Sequence, residues 1–442
     1  WGTILVVGMR TGGVDQTVEL EDGVEQTFMS SYIVLDVTDP ESPPKFIAEI
    51  NDDTWNNLGL TVSKPALVKT NKKVDGVSVN RWMLSFASGP NGDDAHQNAT
   101  SEQNTRLYFY DLTKGEDDPL SMITTQYLNG YGGDVTSVDL DDDYVDDVLY
   151  LGNINAENTY AIYGELLRVE LNLTTDFVPA NLGKPLHVDI STMVNTERPI
   201  VAAPHFITDE KGENWVLVGT GRLHTITDNL NTQQQYFIGV KEEKDNSFDY
   251  AFDEFYMNDL INTTNISLYS DDSISDGVNA VTVKDDDNNE LELSTFYDLK
   301  SFIETQHGWY IDLSKIGTNP SARVLSKATN FSELVFFTQY QPPANSCKID
   351  GTSILYGLDF TAGVASLQNS FDSDLPQDDE QVPTEISSQY SLGIGLASAP
   401  VIHLGESGQV SVLTQSATGS ILVTEINYLF DKGTRLSWKY IY

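Results

Sequence analysis

Short apolar segments separated by polar turns recur along the chain and predict β-strands rather than helices. In one recurring segment, an aromatic-rich apolar stretch ends in an acidic residue that is followed by Thr and often by Gly, at 32–38, 107–115 and 355–363. A terminal Asp can accept hydrogen bonds from the backbone of a tight turn, and Gly supplies the positive φ that such turns need. Each copy is therefore predicted to be a strand closed by a tight turn.

Two other segments precede this one and complete a repeating unit. An apolar strand, led by Trp in its clearest copies and followed by a small residue, comes before it at 1–8, 82–89 and 215–221. Earlier still lies a short segment that contains Pro, at 64–68, 203–207 and 399–403. Repeated antiparallel units with near-continuous apolar inner strands are typical of a β-propeller, whereas a β-sandwich would not repeat in this way. We expect six visible blades, near 1–50, 61–127, 135–190, 199–242, 323–363 and 398–442.

One part of the chain departs from this repeat. Residues 243–308 place acidic and polar runs between short apolar segments, which predicts an insertion between or within blades, and the sheet is expected to resume at 308–313. The first unit lacks its leading strand and opens on a strand already under way, so we expect a further strand or blade upstream. The whole of 1–442 is interpreted as one propeller domain.

A hairpin loop at 139–147 carries the clearest candidate chemistry. Asp occupies its first, third, fifth and ninth positions, at Asp139, Asp141, Asp143 and Asp147. Alternating carboxylates on a tight loop can converge on one hard cation, and the backbone carbonyl of Val145 at the seventh position can join them. The flanking segments are β-strands rather than helices, so the loop is not an EF-hand. The sequence predicts a Ca²⁺ site here, and the alternative is an acidic hairpin that is only solvated.

Charge narrows the list of partners. The chain has 66 Asp and Glu against 25 Lys and Arg, a formal net charge of −41. A field of this sign repels polyanions, so nucleic acid and anionic membrane surfaces are poor partners. The sequence has no apolar run of about 18 residues that would predict membrane insertion, and its N-terminus lacks the basic and cleavage regions of a secretion signal. An acidic surface screened by salt and calcium is consistent with an extracellular location.

The sequence contains no recognisable catalytic motif. No His-Glu-x-x-His and no Gly-x-Ser-x-Gly is present, and no two histidines have metal-ligand spacing. His205 and His403 follow Ala-Pro in equivalent repeats and are interpreted as strand residues. The lone Cys347 excludes an intrachain disulfide or a thiolate cluster. We expect a protein that is not an enzyme.

The order of these motifs resembles the C-terminal domain of the PilY family, which are type IV pilus tip-associated adhesin and biogenesis proteins. The resemblance extends over nearly the whole chain, although each motif alone is weak. Gly2 stands where the family usually has Arg, and Tyr144 stands where Gly is usual. The matching segments are 1–8, 32–40, 139–147, 199–206, 219–222, Asp228, 233–239, 308–313, Cys347, 351–359, 393–400, Ser437 and Trp438.

This resemblance implies a quinoprotein-like propeller of seven blades, with Ca²⁺ held by Asp139, Asp141, Asp143, Asp147 and the carbonyl of Val145. It also implies a role in pilus assembly, in countering retraction and in surface adhesion. The partners would be minor pilins or other tip components and a host or abiotic surface, at the pilus tip or the bacterial cell surface. Two alternatives stay open. One is a dehydrogenase that uses pyrroloquinoline quinone, which shares the strand repeat but usually carries a vicinal Cys pair; the other is a scaffold propeller without calcium.

Overall fold

Among the residues that the structure describes, six largely antiparallel sheets of three to five strands follow one another, one for each predicted unit. The computed structural model describes residues 2–13, 16–19, 23, 25–52, 57–74, 77–92, 95–113, 120–156, 162–171, 189–242, 255–277, 279–284, 290–313, 320–344, 351–367, 371, 383–405 and 409–426. Trp1, Cys347, Ser437 and Trp438, which belong to segments named in the sequence analysis, lie outside these residues. The strands are named below in chain order, and each sheet is called a blade.

The first three blades are continuous in sequence. The first contains β1 (Ile4–Gly8), a hairpin of β2 (Gln16–Glu19) and β3 (Glu25–Phe28), β4 (Ser31–Asp36) and β5 (Lys45–Asn51), with sheet order β1-β4-β5. The second has the order β6 (Ala66–Val74), β7 (Val77–Ala87), β8 (Arg106–Asp111) and β9 (Leu120–Thr124), with helix α1 (Ala95–Asn98) after β7. The third has the order β10 (Gly130–Val138), β11 (Val148–Asn155), β12 (Tyr163–Glu170) and β13 (Asp189–Asn195).

The fourth blade is interrupted by the inserted segment. It begins with β14 (His205–Thr208), β15 (Asn214–Gly219) and β16 (Tyr236–Lys241). The insertion then supplies β17 (Phe255–Tyr256), β18 (Ile261–Asn262), the hairpins β19 (Ile266–Leu268)–β20 (Ile274–Asp276) and β21 (Val281–Lys284)–β22 (Glu290–Leu293), and helix α2 (Phe296–Ile303). Strand β23 (Gly308–Asp312) pairs with β16, so the described part of the insertion lies between two strands of one blade. Its β17 and β18 join the third and fourth blades in parallel pairing.

The last two blades follow the same antiparallel order. The fifth contains β24 (Arg323–Val324), β25 (Thr329–Phe331), β26 (Leu334–Gln341), β27 (Thr352–Asp359) and β28 (Gln389–Ile394), in the order β24-β26-β27-β28 with β25 also paired to β26. The sixth contains β29 (Val401–Leu404), β30 (Val410–Gln415) and β31 (Ile421–Ile426). In the described part of the chain, 3-10 helices lie at Thr227–Leu230 and Met257–Asp259.

Side-chain alternation explains why the inner strands are apolar almost without interruption. Successive residues of a strand point to opposite faces, and here each face meets a different blade. In β11, Leu149 packs against the second blade and Tyr150 against the fourth. In β26, Val335 packs toward the fourth blade and Phe336 toward the sixth. A strand covered on both faces must be apolar at every position rather than at every second one.

Apolar clusters of this kind join each consecutive pair of blades from the first to the sixth. Between the fourth and fifth blades, Phe237 stacks on Phe337 with ring centroids 3.7 Å apart. The indole N–H of Trp309 donates to the carbonyl of Phe360 across the same interface at 2.8 Å. This succession of face-packed antiparallel sheets is a β-propeller, and the predicted all-β propeller with six visible blades is confirmed. The seventh blade that the resemblance implies is not among the described residues.

The predicted strand-closing turns are also confirmed. In Asp36, Asp111 and Asp359, one carboxylate oxygen accepts a 2.9 Å hydrogen bond from the backbone N–H of the Thr two residues later. Gly363 follows with φ +68°, in the left-handed region that favours Gly. The repeated motif therefore closes β4, β8 and β27 by one local hydrogen-bonding pattern.

Candidate metal centre

The acidic loop lies between the first two strands of the third blade and is held at both ends. Val138 at the end of β10 pairs with Val148 at the start of β11. The backbone N–H of Asp147 donates to the carbonyl of Val138 at 2.9 Å, and the carbonyl of Asp147 accepts from Leu171 at 2.7 Å. Strand pairing on one side and a contact to the chain after β12 on the other therefore fix where the loop begins and ends.

Three of the predicted ligands converge in this loop. Asp139, Asp141 and Asp147 each offer a carboxylate oxygen, and these oxygens all lie within 4.8 Å of one another. One carboxylate oxygen of Asp147 accepts the backbone N–H of Leu140 at 2.7 Å, which orients this side chain toward the start of the loop. Among the described residues, no Lys or Arg forms an ion pair with any of the three.

Asp143 is not among these converging carboxylates, and the Val145 carbonyl remains a predicted ligand. Asp143 points one carboxylate oxygen at the backbone N–H of Val145, 2.7 Å away. Its own N–H donates to Asp139 at 3.2 Å and to Asp141 at 3.1 Å, so the Asp143 backbone holds the neighbouring carboxylates in place. The side chain of Val145 is buried at the end of the loop. A rotation of the Asp143 side chain would be needed to bring its carboxylate to the other three.

Tyr144 takes the backbone conformation that Gly usually provides at this position. Its φ is +69°, and its N–H donates to a carboxylate oxygen of Asp139 at 2.8 Å. The ring is 55% exposed, and the ammonium of Lys69 lies 5.7 Å from its centroid. The tight turn therefore forms without Gly, at the cost of a strained backbone conformation for a residue with a Cβ.

Asp146 turns away from the converging carboxylates and attaches the loop to the second blade. Its carboxylate accepts the backbone N–H of Lys69 at 2.6 Å, and its own N–H donates to the carbonyl of Lys69 at 2.9 Å. Burial raises the pKa of this carboxyl, while the Lys69 N–H lowers it. This structural role is not readable from sequence, because Lys69 lies on another blade.

The electrostatics and the donor set fit a hard divalent cation. Burial raises the pKa of Asp147, and the carboxylates of Asp141, Asp139 and Asp143 raise it further against the lowering effect of the Leu140 N–H. Converging carboxylates repel one another unless a cation or proton neutralises them. Ca²⁺ binds oxygen ligands only and accepts flexible geometry, and carboxylates, carbonyls and water are its usual ligands. The residues present fit Ca²⁺.

The other residues singled out in the sequence are part of strands or of a buried ion pair. His205 and His403 lie in β14 and β29, as predicted for strand residues. Arg222 forms a buried ion pair with Asp228, with 2.9 Å between Nη2 and Oδ1. Burial alone would raise the pKa of Asp228, but Arg222 and the N–H of Thr225 bring it below the usual value. Both residues belong to segments that resemble the PilY family, but their pairing was not predicted from the sequence.

The fold and this loop define the chain as a β-propeller with a cluster of converging carboxylates on one blade hairpin. No protein-family model matches the sequence, and no curated protein is significantly similar to it. Among solved structures, the chain is similar to the C-terminal domain of Pseudomonas aeruginosa PilY1, with a TM-score of 0.59 and 18% sequence identity. The alignment covers 96% of this chain and 81% of that one. In the part of the chain that is described, no helix has the length and apolar character needed to cross a membrane.

Proposed function

We propose that this chain is a non-catalytic, calcium-binding β-propeller of a type IV pilus tip-associated protein. The observation that carries the calcium part is the convergence of Asp139, Asp141 and Asp147 at one end of a blade hairpin. Bound Ca²⁺ would neutralise their repulsion and draw Asp143 and the Val145 carbonyl toward the ion. The loop also contacts the second blade through Asp146, so calcium would stiffen the contact between two blades.

Calorimetric titration with CaCl₂ tests this site. The wild-type protein, dialysed against a chelator, is expected to bind one Ca²⁺ with saturable heat. The double variant Asp141→Asn, Asp147→Asn should lose that binding, whereas Asp142→Asn changes a loop Asp outside the predicted ligand set and should keep it. Absent binding in the wild type, or equal binding in the double variant, would overturn the metal site and favour a calcium-independent scaffold.

The pilus part of the proposal is supported by the fold shared with the PilY1 C-terminal domain and by the order of motifs that resembles the PilY family. The protein would act outside the cell, at the pilus tip or cell surface, with minor pilins or other tip components and a host or abiotic surface as partners. It would take part in pilus assembly, counter retraction and contribute to adhesion.

A chromosomal deletion in the source bacterium, complemented with the full-length gene, tests this role. Fewer surface pili and weaker attachment are expected in the deletion strain, and restoration by the wild-type gene. Complementation with the double calcium-site variant separates the two parts of the proposal. Normal piliation and attachment after deletion would refute the pilus role whether or not calcium binds.

A further inference from the structure

Helix α2 of the insertion brings a lysine to the strand-closing turn of the fifth blade. The ammonium Nζ of Lys300 lies 3.6 Å from Oδ2 of Asp359 and 3.8 Å from Oε1 of Glu333. The Asp359 side chain is fully buried, whereas that of Lys300 is 22% exposed. Glu333 directly precedes β26, whose first residue, Leu334, pairs with Asp359. A lysine and two carboxylates from three separate segments therefore meet at one point.

The two carboxylate oxygens of Asp359 have different surroundings. Oδ1 accepts the N–H and the hydroxyl of Thr361 at 2.9 and 2.7 Å, and the N–H of Ala362 at 3.1 Å. Oδ2 is buried but accepts no hydrogen bond from the residues that the structure describes, and the ammonium of Lys300 faces it. Three donors thus hold one oxygen as they would hold the oxyanion of an acyl-transfer reaction, while the other oxygen is directed toward an amine.

The equivalent turn of the second blade has the usual arrangement of an ion pair. There, Oδ1 of Asp111 accepts the N–H and the hydroxyl of Thr113, and Oδ2 accepts a 2.6 Å hydrogen bond from the guanidinium of Arg81. A guanidinium stays protonated in proteins, whereas a buried lysine can lose its proton and act as a nucleophile. The fifth blade therefore combines its carboxyl group with an amine that can react, where the second blade has a guanidinium that cannot.

Both groups adjoin the apolar cluster shared by the insertion and the fourth and fifth blades. Leu299, beside Lys300, and the two chain neighbours of Asp359, Leu358 and Phe360, are buried in this cluster. Two opposite charges are poorly solvated in such surroundings, and transfer of a proton from the ammonium to the carboxylate gives a neutral amine and a neutral acid. The exclusion of water also protects an amide formed there from hydrolysis.

Glu333 can move protons between the two groups. Burial lowers the pKa of Lys300, but the carboxylates of Asp359 and Glu333 raise it above its usual value, so the amine must give up a proton before it can attack. Burial raises the pKa of Glu333, and Asp359 raises it further against the lowering effect of Lys300. A carboxyl group at this position can take a proton from the amine and pass it to the neighbouring acid.

We propose that Lys300 and Asp359 condense into an intramolecular isopeptide bond, with Glu333 as the proton-transfer residue. One proton passes from the ammonium through Glu333 to Oδ2, and the neutral amine attacks the carboxyl carbon of Asp359. The donors of Thr361 and Ala362 stabilise the negative charge that develops on Oδ1. A second proton follows the same route, the bond from the carbon to Oδ2 breaks, and one water leaves. The ion pair becomes one amide, and no oxidant or other reactant is consumed.

The bond joins helix α2 of the insertion, which interrupts the fourth blade, to the end of β27 in the fifth blade. A covalent link between distant segments restricts the unfolded chain and so stabilises the fold. The chain has a single Cys and cannot form an intrachain disulfide, so an amide supplies a link that its thiols cannot. The proposal goes beyond the calcium and pilus proposals, because it uses no residue of the acidic loop and no partner protein.

Intact mass spectrometry of the denatured full chain tests this bond. Wild-type protein, kept folded at neutral pH beforehand, should weigh one water less than its sequence. Lys300→Arg keeps the positive charge without the reactive amine, and Glu333→Gln keeps the shape of the side chain without its proton transfer, so both should show the full mass. Lys211→Arg is the matched control and should keep the deficit, because Lys211 pairs with Glu304 at the surface, 2.6 Å away. Circular dichroism checks that the variants fold.

Tandem mass spectrometry of a tryptic digest locates the bond in the wild type and needs no variant. We expect a branched peptide in which Lys300 is joined to Asp359. A wild-type protein with its full sequence mass would overturn the proposal and leave an ion pair only. A deficit of one water that persists in Lys300→Arg, or that maps to other residues, would also overturn it, and a deficit retained at full yield by Glu333→Gln would overturn the role of Glu333.

Discussion

Two Asp-containing turns of this propeller have opposite electrostatic surroundings. In the turn after β27, the buried Asp359 accepts bonds from the N–H and hydroxyl of Thr361 and from the N–H of Ala362, and its second oxygen lies 3.6 Å from the ammonium of Lys300. In the loop at 139–147, three carboxylates face one another instead, without an ion pair to Lys or Arg among the described residues. One carboxylate is neutralised within the protein, whereas three carboxylates are not.

This difference separates a structural carboxylate from a candidate ligand. Donors around Asp359 come from its own turn and from helix α2 of the insertion, so its negative charge is already compensated. The loop carboxylates accept backbone N–H groups, but these bonds do not remove the mutual repulsion. We therefore expect removal of a carboxylate to be harmful at the first turn and nearly neutral at the second in the absence of calcium.

The largest effect is expected from Asp359→Ala. The change leaves the three donors of Thr361 and Ala362 without their acceptor and removes the buried one of the two carboxylates that pair with Lys300, the other being Glu333, so the free energy of unfolding should fall by ~3 kcal/mol. Urea denaturation measures this loss. Asp36→Ala is the matched control, because its turn is the same but solvent-exposed, and it should lose much less. Equal losses in both variants would contradict the assigned importance of burial and of Lys300.

Calcium should produce the next largest effect. A ligand that binds only the folded state at about a hundredfold excess over its Kd adds about 2.7 kcal/mol to the free energy of unfolding. Wild-type protein should gain this increment in CaCl₂, whereas Asp141→Asn should lose most of it. In chelator, Asp141→Asn should differ from the wild type by less than about 1 kcal/mol, because it relieves repulsion. A large loss of stability in chelator would show that Asp141, like Asp359, stabilises the fold without calcium.

The pH dependence of the calcium-free protein sharpens the comparison at Asp147. Burial and the carboxylates of the loop raise its pKa, so the folded state keeps a proton where the unfolded chain has released it. The resulting stability is present at low pH and is lost as the pH rises through the pKa of the folded state. The contribution is at most ~1.4 kcal/mol per unit of pKa difference, and less here because the carboxylate is half-exposed.

Urea denaturation in chelator, from neutral pH down to the carboxyl range, checks the sign. Asp147→Asn keeps an acceptor for the Leu140 N–H and cannot ionise, so it should gain stability relative to the wild type as the pH rises. The titration of the other carboxylates contributes equally to both proteins and therefore cancels in this difference. A constant difference across the pH range would contradict the raised pKa.

The smallest effect is expected at Tyr144. Tyr144→Gly relieves a φ of +69°, but it loses the contact with Lys69 and makes the unfolded chain more flexible. The net change in the free energy of unfolding should stay below about 1 kcal/mol. Tyr144→Ala removes the ring and keeps the strain, so it should be less stable than Tyr144→Gly. The reverse order in thermal denaturation would show that the greater flexibility of Gly in the unfolded chain outweighs the relieved strain.

Local patterns explain why much of the architecture could be predicted. The strand-closing turn at Asp36, Asp111 and Asp359 is formed by residues two positions apart, so the motif itself specifies it. The near-continuous apolar runs reflect strands covered on both faces, which a propeller requires. The spacing in the acidic loop placed Asp139, Asp141 and Asp147 together because they share one tight turn.

Contacts between blades could not be predicted in the same way. Asp146 bonds to Lys69, Lys300 pairs with Asp359, and Lys327 reaches Thr136, each across a long stretch of sequence. The position of the insertion between β16 and β23 is likewise visible only once the sheet is formed. No local pattern encodes these partners, because they depend on how the blades are arranged around the axis.

By itself, the sequence determined the strands, their turns and the spacing of the acidic loop, because hydrogen bonding over a few residues and side-chain alternation are local properties. Only the tertiary structure decided which carboxylates are compensated and which face one another. Asp359 meets Lys300 only because a helix of the insertion lies beside its turn, and Asp146 meets Lys69 only because the second and third blades are adjacent. Electrostatic interactions act through space, so the same Asp or Lys acquires a different role according to what the fold brings near it.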